Sequence, residues 1–124
     1  MAARILLVDD EPDIQLIGQT TLELGADHEV LVADTGADAL ALAAAGHFDV
    51  VLLDFQLPDM HGPDVLRALR QMPGHAQTPV IFVTGRTRPE DVAQLRALGA
   101  AGVIAKPFDP MTLCADVARL AGIR

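Results

Sequence analysis

Carboxylates that end two separate apolar runs are the side chains best suited to chemistry. Asp9 and Asp10 follow the first run, and Asp54 ends the third. Two like charges about 4 Å apart repel by roughly 4 kcal/mol at an effective dielectric of about 20, so such a cluster needs either raised carboxylate pKa values or a cation. Carboxylates with a backbone carbonyl and water suit octahedral Mg²⁺ better than a site of histidines or cysteines does.

Two further polar residues end apolar runs, Thr84 and Lys106. Lys106 is the only lysine among nine basic residues, and its compact charge suits a phosphoryl oxygen. Mg²⁺ held by carboxylates usually completes its shell with phosphate oxygens, which predicts phosphoryl chemistry. Taken singly, each residue has an ordinary alternative as a helix cap, a turn acid, a strand end or a solvated charge. The combination favours a functional site.

Short apolar runs alternate with helical stretches along the chain. The runs predict strands at Ile5 to Val8, Val30 to Ala33, Val50 to Leu53, Val80 to Val83 and Val103 to Ala105. Helix starts are predicted at Pro12, Thr35-Gly36-Ala37-Asp38, Gly62-Pro63-Asp64, Thr87-Arg88-Pro89-Glu90 and Asp109-Pro110. Helix ends are predicted at Gly25, Gly46, Gly74, Gly99 and Gly122.

Five such repeats predict an α/β fold with a doubly wound parallel sheet and helices on both faces. The strand order 2-1-3-4-5 is predicted by analogy with common sheets of this size. In that order strands 1, 3, 4 and 5 are neighbours, so the four polar positions share one edge. Residues 1–124 are expected to form one domain.

Composition restricts the partners. A formal charge of -8 argues against nucleic acid and anionic membrane surfaces. Cys114 is the only cysteine, so it is expected to be a small core residue in a reducing compartment. No apolar run is long enough to span a bilayer, and a soluble cytoplasmic protein is predicted. The four histidines are expected to be exposed polar residues, and the stripe Leu113, Val117 and Leu120 to be core.

Four motifs together resemble the receiver domain of two-component response regulators over the whole chain. They are Val8-Asp9-Asp10-Glu11-Pro12, Leu53-Asp54-Phe55-Gln56-Leu57-Pro58-Asp59-Met60-His61-Gly62, Val83-Thr84-Gly85 and Lys106-Pro107-Phe108. The resemblance implies a flavodoxin-like (βα)5 fold. It also implies a phosphoacceptor switch that assists its own phosphorylation and dephosphorylation without being an enzyme in the ordinary sense.

The resemblance assigns roles to residues. Asp54 would accept a phosphoryl group from a phosphohistidine on a sensor histidine kinase or histidine phosphotransfer protein. Asp10, Asp54 and the backbone carbonyl of Gln56 would bind Mg²⁺, with Asp9 holding the metal through water. Thr84 and Lys106 would bind phosphoryl oxygens, and the peptide bond after Lys106 would be cis. A monomer or a phosphorylation-dependent dimer would act on a downstream protein.

One position departs from the family pattern. Val103 stands where receivers commonly carry an aromatic residue, so the ring that usually moves with the threonine is absent. Gln56 and Arg86 flank the path of an attacking water and could set the phosphoaspartate lifetime, or could be exposed loop residues. The basic residues Arg86, Arg88 and Arg96 would lie on a partner-binding face.

Three alternatives belong to other classes. A flavodoxin-like FMN protein needs a loop rich in Ser, Thr and Gly after strand 1, where this chain is acidic. A Mg²⁺-dependent phosphatase with an aspartate nucleophile on strand 1 needs Asp-x-Asp, which Asp9-Asp10-Glu11 does not supply. A pseudo-receiver that serves only as a scaffold is favoured slightly by Val103 and disfavoured by the intact site residues.

Overall fold

The computed structural model describes residues 2–123, in which five strands alternate with five helices. The strands are β1 (Arg4–Val8), β2 (Glu29–Ala33), β3 (Val50–Asp54), β4 (Val80–Thr84) and β5 (Gly102–Ala105). The helices are α1 (Pro12–Ala26), α2 (Gly36–Ala45), α3 (Gly62–Arg70), α4 (Pro89–Ala97) and α5 (Leu113–Ala121). The five predicted strands are confirmed, each within one residue at either end.

All strand pairs are parallel, and the order is β2-β1-β3-β4-β5, as predicted. In register, Leu7 lies opposite Val32 on one side and Leu52 on the other. Leu52 in turn lies opposite Ile81. Successive strands are added on one side of β1 for β2 and on the other side for β3 to β5, so the switch point, where open α/β sheets of the flavodoxin-like type place their ligands, lies between β1 and β3.

Alternation along the central strands divides the core into two layers. Leu6 and Val8 of β1 belong to a cluster with buried residues of α2, α3 and α4. Ile5 and Leu7 belong to a second cluster with residues of α1 and α5. Because helices cover both faces, the central strands are apolar on both faces, and every residue of β3 and β4 is buried.

Several helix boundaries follow the predicted signals. The Thr35 hydroxyl accepts a hydrogen bond from the Asp38 backbone N–H at 3.0 Å and caps α2. Gly99, one residue past the end cap of α4, has a φ of 106°. Gly122 ends α5 with a φ of 72°. Both angles lie in the left-handed region that glycine adopts without strain.

Three predicted boundaries are wrong. Helix α1 continues through Gly25 and ends at Ala26, and its cap residue Asp27 takes the left-handed conformation with a φ of 58°. Helix α3 ends at Arg70, ahead of Gly74. Helix α5 begins at Leu113 instead of Asp109-Pro110, because the Asp109 side chain accepts the Met111 N–H at 2.9 Å and forms a separate turn first.

The expectation that all histidines are exposed is wrong for His28 and His75, which are buried. The His28 Nδ1 atom accepts the Ala3 backbone N–H at 2.9 Å. His75 lies between the Ala43 carbonyl oxygen, 2.9 Å from its Nε2, and the Thr78 hydroxyl, 3.0 Å from its Nδ1. Each ring thus joins two segments, because its nitrogens satisfy backbone or hydroxyl groups that burial removes from water.

The remaining core predictions hold in part. Leu113 and Val117 are fully buried, and Leu120 packs at the margin of the same cluster, as predicted. Cys114 is half-buried beside them, and its Sγ donates to the Thr21 carbonyl at 3.5 Å. Burial raises the pKa of the Cys114 thiol. Between residues 2 and 123 no helix has both the length and the apolar character needed to cross a membrane.

Candidate functional site

Four neighbouring strands deliver polar side chains to one edge of the sheet. Asp9 follows β1 directly, Asp54 and Thr84 are the last residues of β3 and β4, and Lys106 follows β5. Because parallel strands end at the same edge, these residues meet although they are far apart in sequence. Asp9, Asp54 and Thr84 are only 1%, 8% and 4% exposed, which is rare for such side chains unless they are paired.

The Lys106 ammonium group joins the acids of this edge. Its Nζ lies 2.6 Å from a Glu11 oxygen, 3.0 Å from Asp9 and 3.3 Å from Asp54. The Asp9 carboxylate also accepts the Glu11 backbone N–H at 2.9 Å, which ties the start of α1 to the site. The peptide bond between Lys106 and Pro107 is cis, as the resemblance implied.

Burial and charge change the acidity of the two central groups. Burial, and then the neighbouring Asp9 charge, raise the pKa of Asp54, while Lys106 and a backbone hydrogen bond from Gln56 partly oppose this. Burial alone would lower the pKa of Lys106. Hydrogen bonds to Glu11 and Asp9 and the charges of Asp9 and Asp54 outweigh burial, so the pKa of Lys106 lies well above its usual value.

Three carboxylates of the edge are close enough to share a metal ion. Asp9, Glu11 and Asp54 each offer an oxygen, and these oxygens lie within 4.8 Å of one another. An all-oxygen, all-carboxylate donor set fits a hard divalent cation such as Mg²⁺. The predicted ligand Asp10 is exposed and lines the same cavity, but its carboxylate is not among the three that converge.

Glu11 is the site residue that sequence reasoning missed as a participant. The sequence places it only within the Val8-Asp9-Asp10-Glu11-Pro12 motif, and an acid at the start of a helix commonly interacts with the helix dipole. Helix α1 does begin after Glu11, and the Glu11 side chain makes no capping hydrogen bond. The side chain instead turns to Lys106. The one available signal was its place directly after an acid pair at a strand end.

A cavity of about 420 Å³ opens above these groups. Its lining residues are Asp10, Glu11, Asp54, Phe55, Gln56, Thr84, Gly85, Arg86 and Lys106. It includes every residue to which sequence reasoning gave a role at this edge except Asp9, which lies beneath it. A second cavity, of about 440 Å³, lies at the opposite, amino ends of β3 and β4. There His47 and Asp49 pair with each other at 3.0 Å.

The loop after β4 contacts the loop after β3 beside the cavity. The Thr84 hydroxyl accepts the Arg86 backbone N–H at 3.1 Å. The Arg86 guanidinium carbon lies 4.7 Å from the centre of the Phe55 ring, a cation–π distance. Val103, at the position where the family pattern commonly has an aromatic residue, is half-buried against the α2, α3 and α4 layer. Phe55, which follows Asp54 in sequence, is the aromatic residue among those that line the cavity.

Comparison with known proteins gives one family. Residues 5–118 match the family model described as the response regulator receiver domain. The chain is 42% identical over 104 residues to the transcriptional regulatory protein KdpE of Mycobacterium tuberculosis. The aligned segment covers 84% of this chain and 44% of KdpE. It is 38% identical to the protein PilH of Pseudomonas aeruginosa, over 97% of this chain and 99% of PilH.

Solved structures agree with that comparison. The chemotaxis response regulator CheY4 of Vibrio cholerae superposes with a TM-score of 0.90 at 36% sequence identity. The match covers 97% of this chain and 99% of CheY4. Against KdpE, by contrast, the chain spans less than half of the relative's length.

Proposed function

This chain belongs to the response regulator receiver domain family, and we propose that it is a phosphoacceptor switch in two-component phosphorelay signalling. A receiver domain is a signalling switch and not a classical enzyme. The observation that carries the proposal is the Lys106 ammonium group, which lies 3.0 Å from Asp9 and 3.3 Å from Asp54 beside the buried Thr84. A solvated lysine and two turn acids have no reason to converge in this way.

The proposed reaction is a transfer from a phosphohistidine to Asp54. A carboxylate oxygen of Asp54 forms the new bond to phosphorus while the phosphorus–nitrogen bond of the donor breaks. The electron pair of the broken bond stays on the imidazole nitrogen. Asp54 must be ionised to attack, and the Lys106 charge favours that state against the effects of burial and of Asp9. Lys106 and the Thr84 hydroxyl donate to the phosphoryl oxygens.

A divalent cation is part of the proposal. Receiver domains bind Mg²⁺ in an acidic pocket, and the carboxylates of this edge fit that ion. We assign as its ligands Asp10, Asp54 and the Gln56 carbonyl, which all belong to residues lining the cavity, with Asp9 acting through water. Glu11, the third carboxylate that converges here, is paired with Lys106 instead. When bound, Mg²⁺ supplies positive charge that offsets the charge of the phosphoryl group.

Phosphorylation is proposed to act on the loop after β4. Phosphoryl oxygens are strong acceptors, so they draw the Thr84 hydroxyl towards Asp54. That movement weakens the 3.1 Å hydrogen bond that Thr84 accepts from the Arg86 N–H. The change then reaches α4 through the loop after β4. It does not pass through an aromatic ring in β5, because that position is Val103. The phosphoaspartate lifetime depends on Gln56 and Arg86, which both line the cavity.

The partners follow from the same chemistry. We propose that residues 1–124 form one response regulatory domain that receives its phosphoryl group from a sensor histidine kinase or a histidine phosphotransfer protein in the cytoplasm. The domain acts on another protein through the surface of α4, β5 and α5. It does so as a monomer or as a phosphorylation-dependent dimer. Arg86, Arg88 and Arg96 are exposed on this surface, although Arg88 also pairs with Asp91 at 3.1 Å.

Intact-mass measurement tests the proposal directly. The protein is incubated with Mg²⁺ and acetyl phosphate, and separately with a phosphorylated histidine phosphotransfer protein. We expect one added phosphoryl group, absent when Asp54 is replaced by Asn or when the metal is chelated. Asp49→Asn is the matched control, because Asp49 lies at the other end of β3 and should leave phosphorylation intact.

Two outcomes decide against the switch. If neither donor adds a phosphoryl group to the wild-type protein, the pseudo-receiver scaffold remains as the better account. If a group is added equally to Asp54→Asn, the acceptor is misassigned. Binding of partner proteins to the phosphorylated form and to Asp54→Asn, compared by pull-down, then tests the output surface.

A further inference from the structure

Glu11 makes the closest contact of the Lys106 ammonium group, yet the proposed transfer gives it no role. Its carboxylate lies 2.6 Å from Nζ, closer than Asp9 or Asp54. The Glu11 side chain is 59% exposed, whereas that of Lys106 is 16% exposed and that of Asp9 is 1% exposed. Glu11, the residue just before α1, is therefore an exposed acid that contacts a largely buried lysine.

Three carboxylates crowd the Lys106 ammonium group, which donates hydrogen bonds to Asp9 and Asp54 and has the Glu11 carboxylate at ion-pair distance. An ammonium group has three protons, and three carboxylates lie within ion-pair distance of Nζ. A phosphoryl oxygen on Asp54 needs one of those protons. One existing contact must therefore break or lengthen before Lys106 can donate to the transferring group.

The three contacts differ in the cost of breaking them. Losing Lys106 would leave Asp9 as a buried charge with one partner fewer, which is expensive. Asp54 carries the phosphoryl group itself and stays close to the lysine. Glu11 is mostly in water and recovers its hydration when the contact opens, so an exposed ion pair of this kind contributes little net stability.

From this geometry we infer that Glu11 is a positioning residue that holds Lys106 in the resting site and releases it when a phosphoryl group arrives. The inference rests on the proposed function and adds that the contact between Glu11 and Lys106 slows the phosphorylation of Asp54. Glu11 competes with the phosphoryl oxygens for the same ammonium protons. Replacing Glu11 by Gln removes the competing charge and makes Lys106 available sooner.

The first test measures how strongly the Glu11 contact protects the Lys106 amine from reaction when no phosphoryl group is present. The protein is treated with a trace of acetic anhydride at fixed pH, and the rate at which the Lys106 amine is acetylated is measured. Lys106 is the only lysine, so peptide mapping needs to distinguish it only from the terminal amine. We expect Glu11→Gln to react about three- to fivefold faster, the effect of losing one part-exposed ion pair. Asp13→Asn removes a nearby exposed charge and should react like the wild type. Circular dichroism verifies that both variants fold.

The second test measures the effect of Glu11 on the rate of phosphorylation. With acetyl phosphate and Mg²⁺, the donor P–O bond breaks, acetate leaves with its electron pair, and Asp54 takes the phosphoryl group. Glu11→Gln should be phosphorylated several-fold faster than the wild type and Asp13→Asn. An unchanged acylation rate, an equal rise in Asp13→Asn, or slower phosphorylation of Glu11→Gln overturns the inference. Faster acylation together with a wild-type protein that accepts no phosphoryl group refutes the proposed function and the slowing effect of Glu11, and leaves only a resting ion pair.

Discussion

His28 shows how burial changes the behaviour of a single residue. It is 4% exposed, accepts the Ala3 N–H, and its pKa is lowered by burial against the opposing charges of Asp27 and Asp49. A group whose pKa is lower in the folded state binds its proton more readily in the unfolded state. The neutral ring therefore stabilises the fold above the unfolded pKa of about 6.5, and that contribution is lost as the pH falls below it.

We predict that the free energy of unfolding decreases between about pH 7.5 and pH 5.5, and that His28→Asn reduces this decrease. Asn keeps an acceptor for the Ala3 N–H but does not titrate. Urea unfolding at three pH values in this range measures the effect. His61→Gln is the control, because His61 is exposed and should keep the wild-type slope. An equal slope in His28→Asn and the wild type would show that another group titrates.

Residue types and spacing were sufficient to select Asp9, Asp54, Thr84 and Lys106, because each ends a run that is recognisably a buried strand. Their convergence then followed from the parallel topology. The position of the Glu11 side chain was not predictable, since its direction depends on the distance to a lysine 95 positions later in the chain, as the two residue numbers show. The burial of His75 depends in the same way on loops that meet only in the fold.

At the scale of elements, Asp59 joins the loop after β3 to a helix. Its two carboxylate oxygens accept the backbone N–H groups of Gly36 at 2.8 Å and Ala37 at 2.9 Å, at the start of α2. These hydrogen bonds lower the pKa of Asp59. The loop that begins after Asp54 is thereby tied to the N-terminus of α2, where a negative charge is favoured.

We predict that Asp59→Asn lowers the urea midpoint at neutral pH. Because the pKa of Asp59 is lowered in the fold, its contribution exists above its unfolded value and disappears as the pH falls through the folded value. The difference between the variant and the wild type should therefore shrink in acid. Asp38→Asn, also in the first turn of α2, controls for the helix dipole alone. The prediction fails if the two variants lose the same stability at every pH.

Arg70, at the end of α3, holds two loops together. Its guanidinium group donates to the carbonyl oxygens of His75 at 3.1 Å, Thr78 at 2.7 Å and Gly99 at 3.2 Å. These bonds join the segment before β4 to the turn before β5. The sequence marked Gly74 as the end of this helix, but the helix ends four residues earlier, and Arg70 organises the turns that follow.

We predict that Arg70→Ala lowers the free energy of unfolding by about 2 kcal/mol, since hydrogen bonds from a charged donor contribute more than those from a neutral one. Arg67→Ala on the same helix should cost about 0.5 kcal/mol or less, because Arg67 is 63% exposed and pairs only with Asp64. Chemical unfolding of both variants and of Arg70→Lys measures this. Lys has one donor nitrogen and should recover only part of the loss. Similar values for Arg67→Ala and Arg70→Ala would show that the three carbonyl contacts contribute little.

At the scale of the whole molecule, the sheet brings together charges that the rest of the fold must stabilise. The chain has a net charge of -8, and three of its carboxylates have oxygens within 4.8 Å of one another at the edge of the central strands. The parallel, doubly wound sheet was predictable from short apolar runs that alternate with helices, whereas the strand order rested on analogy with common sheets of this size. The helix boundaries were less predictable, because the backbone of Asp27 takes the left-handed conformation expected of Gly25, and the Asp109 side chain forms a separate turn ahead of α5.

A cation that binds this edge only in the folded state must stabilise the entire domain. Mg²⁺ at about ten times its dissociation constant should raise the free energy of unfolding by about 1.4 kcal/mol, and the thermal midpoint by a few degrees. Asp54→Asn should lose most of that shift, whereas Asp49→Asn, at the other end of β3, should keep it. Differential scanning calorimetry with Mg²⁺, and with Na⁺ at matched ionic strength, separates specific binding from general screening of the net charge. A shift that Na⁺ reproduces, or that survives in Asp54→Asn, would mean that these carboxylates do not form the metal site.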